Sequence, residues 1–457
     1  MTEAPESSPN ALPDPPGPHA GRWYADPGPY IADRLGYLQG LVNTYGEVCR
    51  FRMGLWDIYL LTHPDHVRQV LVNDHASVTK SKVIKASQTL LGKGLLTSEG
   101  AFHRRQRRLM APAFHRQRIA GYAETMVRHA AALADTWQDG QVIDMHVEMS
   151  RVTLAIIGET MFGARTEAAA RVVSGALEIS FGMLNRLTSP WHFLAGLLHV
   201  RENLRFFRAR HQLNRIVYGF IAQRHREKAQ RDDVLQMLLE ARDTEGDGGG
   251  MSDRQIRDEV LIIFLAGHET TANALGWTWY LLARHDAVAS RLHAELDRVL
   301  GGRLPTLEDV PQLAYARCVI EESIRLYPPA YVIDRATASD LAIGGYRIRR
   351  GTTIFLSPYL THRDPRWYPD PDRFDPDRWT PEAKAARPKF AYFPFGAGPR
   401  VCIGEQFAWT EAILVLATLA QRWRARMASS DAVVPHPLIV LRPKAGIPMR
   451  VTRRSPA

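Results

Sequence analysis

The residues best equipped for chemistry gather around one cysteine. The chain has three, Cys49, Cys318 and Cys402, an odd and widely spaced set that suits neither a disulfide framework nor a zinc site. A reducing, cytoplasmic setting follows as the expectation, with at most one thiol engaged in chemistry. Cys402 lies in "FPFGAGPRVCIGEQFA", where Phe395, Gly398, Arg400, Cys402 and Gly404 form F-x-x-G-x-R-x-C-x-G. The glycines permit a tight loop and close backbone approach to a flat ligand. A helix starting just after the cysteine would turn its positive end and free N–H groups toward a thiolate. Arg400, two residues away, is placed to pair with a carboxylate. The chemistry suggested is a thiolate ligand to an iron porphyrin; the bland alternative is a buried structural cysteine in a Gly-Pro turn.

Three other spacings bear on this reading. In "EESIR", Glu322 and Arg325 are three apart and share a helix face, a spacing most often found as a weak surface ion pair. In "AGHETT", Ala266 and Thr270 are four apart on one face, and Gly267 leaves room for a small ligand or a local distortion. Thr270 can simply bond back to the Ala266 carbonyl. It can also relay protons beside Glu269. In "FHRRQRRL", His103 and Arg107 are four apart among Arg104, Arg105 and Arg108, which form either a solvated face or a basic docking patch.

These segments need elements to hold them. Between Tyr45 and Leu61 short β-rich pieces flank Gly54, Leu55 and Trp56, a hairpin turn. From Pro64 to about Leu300 the apolar spacing is mostly helical. Ser252 and Gln255 have the capping-box spacing, and the helix they open runs unbroken to about His285, on the order of 30 residues or ~45 Å. Past Pro328 short strands appear, a further helix spans about Gly404 to Trp423, and "PLIVLRPKAGIPMRVT" reads as a closing hairpin. The 457 residues are 45% hydrophobic and 23% charged, an ordinary globular composition. The expected class is mainly α with a small β part. Residues 1–30 form a Pro-rich leader and 31–457 one domain. The leader holds eight prolines and no apolar run, so neither a signal peptide nor a membrane span is expected. The net charge of +10 admits several anionic partners. Nucleic acid is not favoured, because the basic residues lack aromatic interleaving or a recognised module.

The Cys402 segment resembles the haem-binding signature of the cytochrome P-450 family, haem-thiolate monooxygenases, and the likeness extends over nearly all of the chain. It implies that fold, with the long central helix over a buried haem b (iron protoporphyrin IX). Cys402 is then the proximal iron ligand, Phe395 packs beside its sulfur, and Arg400, Arg335 in "VIDRAT", His103 and Arg107 contact the propionates. Glu322 and Arg325 match the family's buried E-x-x-R, completed by Arg373 in "PDRF". "AGHETT" matches A-G-x-[DE]-T-[TS], making Glu269 and Thr270 an acid–alcohol pair for proton delivery, with His268 pointing elsewhere.

By the same resemblance the enzyme hydroxylates or epoxidises a hydrophobic molecule, a fatty acid, a terpene or a macrolide-like compound, using O2 and two electrons. No flavin or iron–sulfur segment is present, so a separate ferredoxin and reductase are implied. The distal pocket would be lined by "KVIKASQTLLGKGLL", Leu265, Ala266, Tyr331, Val332 and Ile333, roofed by "SFGMLNRLTSPWHFLAGLL", without a charged clamp. A peroxide-driven peroxygenase and a non-enzymatic haem-thiolate sensor are the alternatives, and the acid–alcohol pair argues against both.

Overall fold

The computed structural model describes residues 11–19, 25–163, 175, 200–227 and 231–454. Ten longer helices carry the architecture: α1 (Arg34–Tyr45), α2 (Gly100–Met110), α3 (Arg116–Thr136), α4 (Met145–Phe162), α5 (Val200–Glu227), α6 (Val234–Glu240), α7 (Asp253–Arg284), α8 (Asp286–Leu300), α9 (Ala314–Leu326) and α10 (Glu405–Ala420). Helix α7 is the axis. Ser252 accepts from the Gln255 amide while the Gln255 side chain accepts from the Ser252 N–H, so the capping box is complete, and the helix runs 32 residues to a cap at His285. Its middle is apolar on nearly all sides because α4, α9, α5 and α10 pack around it. A helix buried all round needs no amphipathic stripe. The main core lies along this axis, with Trp277 and Trp279 among its largest buried side chains.

The β part is set to one side. Strands β1 (Val48–Met53) and β2 (Trp56–Leu61) pair antiparallel through a two-residue turn at Gly54 and Leu55. Gly54 has φ +61°, which only glycine adopts without strain. Trp56 belongs to the strand, opposite Met53, rather than to the turn. The remaining strands are β3 (Val78–Thr79), β4 (Val142–Asp144), β5 (Ile333–Thr337), β6 (Leu341–Ile343), β7 (Tyr346–Ile348), β8 (Thr353–Leu356), β9 (Trp423–Met427), β10 (Pro435–Pro437), β11 (Leu441–Pro443) and β12 (Pro448–Arg453). One sheet has the order β1-β2-β8-β5-β3, with β2 and β8 parallel.

One expectation needs correction. The closing segment is not a hairpin: β11 pairs with β10, whereas β12 pairs with β4 and β9. Asp144 fixes that crossover, accepting from the Ile447 N–H at 2.9 Å. Part of the Pro-rich leader bonds to the body. The Pro16 carbonyl accepts from Arg50 N–H at 2.8 Å and the Pro13 carbonyl from Arg347 N–H at 2.9 Å. Asp14 pairs with Arg50 and Arg349. Proline keeps its carbonyl as an acceptor, so it can cover an exposed strand edge without offering a new donor.

Candidate active site

The Cys402 loop is shaped by positive-φ glycines and closed by its own backbone. Gly396 and Gly398 have φ +71° and +67°. A Cβ on Gly398 would collide with the Leu71 carbonyl, so this glycine lets the loop press on the 69–73 segment. The Cys402 N–H donates to the Phe395 carbonyl at 3.0 Å, and the Phe395 ring meets Trp409 at 5.6 Å. Helix α10 begins at Glu405 as expected. Burial nevertheless dominates the thiol: it pushes Cys402 upward, while the Gly404 N–H and Arg107 pull the other way and Glu405 adds to the rise. The helix end does not by itself supply a thiolate here. Cys402 is nevertheless an exposed residue. A residue that is exposed while its thiol is desolvated borders a space inside the fold. Ala266 is likewise exposed in the otherwise buried middle of α7.

Beside this space lies a dense cluster of cations. Arg335 is buried, with its guanidinium donating to the Asp334 carbonyl at 2.7 Å. Arg400 donates to the Ser98 carbonyl at 3.0 Å and pairs with Glu99, and Arg107 donates to the Val401 carbonyl at 2.8 Å. Burial lowers all three guanidinium pKa values. The sequence reading missed a fourth member, Lys80, 9% exposed, pushed down to about 7 first by burial and then by Arg335 and Arg400. Nothing in "VTKSK" marks it out. His103 is pushed down to about 4 by burial and by Arg400, Lys80 and Arg107, so it stands neutral at pH 7 and can act only as a neutral hydrogen-bonding group. Lys80, Arg107, Arg335 and Arg400 face two carboxylates, Glu99 and Asp334. With Lys80 protonated the deficit is two negative charges, the number that the propionates of an iron porphyrin carry. These residues fit that group.

On α7, Thr270 Oγ1 donates to the Ala266 carbonyl at 2.7 Å. The side chain of Asn273 donates to the Glu269 carbonyl at 2.7 Å. His268 turns into the core, with Nδ1 2.9 Å from the Phe264 carbonyl, while Thr153 of α4 bonds the His268 carbonyl. Gly267 also lies at a helix–helix contact. A Cβ there would lie 2.8 Å from Ile157 Cδ1, so the glycine lets α4 lie close against α7.

The Glu322–Arg325 pair is fully buried, with two bonds of 2.8 Å between them. Arg325 also donates to the carbonyls of His362, Pro371 and Arg373. Glu322 further accepts from Trp379 Nε1 at 2.9 Å and Asp375 N–H at 3.0 Å. The third charge is not Arg373. That side chain is exposed and only its carbonyl takes part; the guanidinium near Glu322 is Arg378, 3.4 Å away. The sequence offers "PDRF" and "PDRW" five residues apart. The short 3-10 turn Pro376–Trp379 turns the second toward α9.

A cavity of about 240 Å³ is lined by Leu265, Tyr331 and Val332 from the expected set, and by Val83, Leu91 and Leu96 of "KVIKASQTLLGKGLL". Ala266 and Ile333 do not line it; Ile333 sits half-buried in β5, against the core under the sheet. The expected roof, residues 180–198, lies outside the described residues. Contrary to expectation, charged side chains do border the cavity: Arg34, Lys82 and Asp334. Arg34 is engaged with the Pro437 carbonyl, and Asp334 with Ser81. The basic docking patch also shrinks. Arg105 and Arg108 both reach Asp243, holding α2 to the Gly-rich segment, while Arg104 stays exposed. No helix among the described residues is long and apolar enough to cross a membrane.

Known proteins share this arrangement. The family model described as Cytochrome P450 matches residues 30–448. The chain is 41% identical over 400 residues to cyclooctatin synthase of Streptomyces melanosporofaciens, covering 87% of each chain. It is 37% identical over 422 residues to pentalenene oxygenase of Streptomyces avermitilis, covering 91% of this chain and 92% of that one. It is 38% identical to cyclooctat-9-en-7-ol 5-monooxygenase, covering 84% and 83%. The crystal structure of the cytochrome P450DA heme domain superposes with a TM-score of 0.88 at 28% identity, covering 97% of this chain and 99% of that one. The chain therefore belongs to the cytochrome P450 family and is an enzyme of its monooxygenase class.

Proposed function

We propose that this enzyme hydroxylates a cyclic terpene, holding haem b through Cys402 and drawing electrons from a separate ferredoxin and its reductase. The observation that carries the reading is the accessible, desolvated Cys402 beside a cationic cluster short of two negative charges. Cys402 would ligate the iron, with Phe395 beside its sulfur. Lys80, Arg107, Arg335 and Arg400 would take the propionates. His103, neutral at pH 7, would offer an uncharged ring N–H. When bound, the haem would supply activation of O2, with one oxygen atom entering a C–H bond and the other leaving as water at the expense of two electrons and two protons.

The chain does the rest. Leu265, Val332, Val83 and Leu91 exclude water and orient an apolar skeleton. Tyr331, its hydroxyl tied to the Leu438 carbonyl at 2.9 Å, presents only its ring. Thr270 holds a proton on Oγ1 at the Ala266 carbonyl, ready to release it upward in exchange for one delivered by Glu269. Among fatty acids, terpenes and macrolide-like compounds, terpenes are favoured because pentalenene and cyclooctat-9-en-7-ol appear in the relatives' names. The net charge of +10 and exposed Arg104 support an acidic electron donor.

Reduced protein under CO is expected to give the red-shifted Soret band of a thiolate-ligated haem; its absence overturns the assignment of Cys402. Cyclic sesquiterpene and diterpene hydrocarbons, a long-chain fatty acid and a macrolide would then be compared with ferredoxin, reductase and NADPH, or with peroxide alone. Terpene alcohols formed only with the ferredoxin system support the reading. Faster turnover with peroxide would make it a peroxygenase. Charge reversal at Arg104 that leaves the reduction rate unchanged would remove that face as the docking site.

A further inference from the structure

Away from the haem side, two imidazoles and a carboxylate converge where three segments meet. Glu47 lies between α1 and β1, and His63 caps the short helix Pro64–Arg68, which also carries His66. The Thr62 N–H donates to the Glu47 carbonyl at 3.1 Å, so closure of the β1–β2 ladder brings Glu47 beside His63. One ligand atom from each of Glu47, His63 and His66 lies within 4.8 Å of the other two, and all three residues are half-buried. Among the described residues this is the one such group.

The site has an unexplained atom. His66 Nδ1 is buried and has no hydrogen-bond partner. The far side of the ring faces Gly344, where a Cβ would stand 2.8 Å from Nε2, so this glycine keeps the imidazole seated. A buried ring nitrogen without a partner normally requires an explanation. The surrounding charge points to a cation. His63 Nδ1 accepts from the Asp65 N–H at 3.2 Å, and Asp65 Oδ2 stands 3.7 Å from the same nitrogen, which places a carboxylate near this imidazole. Arg366 is held by Asp364 at 2.6 Å and Glu47 at 2.9 Å. Glu47 and Asp364 share one guanidinium and Asp65 lies by His63, so carboxylates outnumber the cation in this neighbourhood, a balance that suits a dication. Tetrahedral zinc with bonds of ~2.0–2.1 Å sets its ligands about 3.4 Å apart. The three side chains need to close by little more than 1 Å, a change within the reach of half-buried rotamers.

We propose that Glu47, His63 and His66 form a zinc site, with water in the fourth position, stapling the α1–β1 turn to the 63–68 helix. This site is independent of the haem and of the oxidation reaction. The test uses the haem-loaded protein after dialysis against a chelator, titrated with Zn²⁺ in competition with a chromophoric chelator. One Zn²⁺ per chain is expected, with binding at least tenfold weaker in His66→Ala and in His63→Ala. Zinc-edge X-ray absorption of the loaded protein is expected to show imidazole scattering from two rings. An unchanged CO-difference spectrum certifies that each variant is folded; if His66→Ala does not fold, Glu47→Gln is read in its place. Equal Zn²⁺ affinity in the wild type and the variants, or no imidazole scattering, would overturn the proposal and leave an ion-pair network only.

Discussion

Replacing Glu322 by Gln is the most informative perturbation of this structure. Glu322 and Arg325 are 0% exposed, and the carboxylate accepts four close bonds in addition to the Arg378 contact. An amide keeps the volume but removes the charge and turns one acceptor into a donor facing a buried guanidinium. Stranding one partner of a buried pair costs about 3–5 kcal/mol. Arg325 keeps its three backbone carbonyls, which places the expected loss at the lower end of that range. At ~2.1 cal/mol/K per residue, the unfolding entropy of 457 residues is about 1 kcal/mol/K, so a loss of about 3 kcal/mol should lower the midpoint by about 3 °C. Thermal unfolding followed by far-UV circular dichroism, at matched haem content, reads this directly. Two further variants test the geometry. Arg378→Ala should lower the midpoint as well, by less, because Arg378 is partly exposed and 3.4 Å away. Arg373→Ala should leave it unchanged, because only the Arg373 carbonyl enters the cluster. An Arg373→Ala loss equal to that of Arg378→Ala would refute the assignment.

Three other outcomes follow from the same coordinates. Gly267→Ala should destabilise by about 1–3 kcal/mol through overpacking against Ile157, and Ile157→Val, which removes Cδ1, should recover part of that loss in a double-mutant cycle read by urea unfolding. Lys80 in the haem-free protein titrates at about 7 instead of 10.5, so its burial penalty is fully present below pH 7 and is relieved as pH rises toward 10.5. Propionate binding must restore its proton; haem transfer to apomyoglobin should therefore quicken between pH 7 and pH 9, and Lys80→Met should flatten that dependence. Thr270→Ala should leave the CO-difference spectrum intact while lowering product formed per NADPH consumed; unchanged coupling would remove Thr270 from proton delivery.

Much of the molecule was legible before any coordinates. The capping box at Ser252 and the unbroken stretch to His285 fixed α7 within a residue or two, because local capping and helix propensity carry that information. The Cys402 loop was legible because positive-φ glycines and a following helix leave a dense local pattern. The apolar run after Gly404 was likewise read as a helix, and it forms α10 a few residues shorter.

What tertiary structure alone decided concerns partners distant in sequence. Two equivalent arginines, in "PDRF" and "PDRW", differ only in which one a 3-10 turn brings to α9. Arg105 and Arg108 look like a free basic face until Asp243, more than a hundred residues on, is seen to occupy both. Lys80 carries no local sign of its setting, because its lowered pKa arises from burial and from Arg335 and Arg400, far along the chain. β12 left its expected hairpin partner for β4 and β9, a choice made by long-range ladder bonds and by Asp144. The sequence determined which local elements form and where a thiolate ligand is to be expected, since turn and helix preferences act over a few residues. Charge pairing, burial and strand exchange depend on which distant groups the fold brings within a few ångströms, and so only the folded chain could decide them.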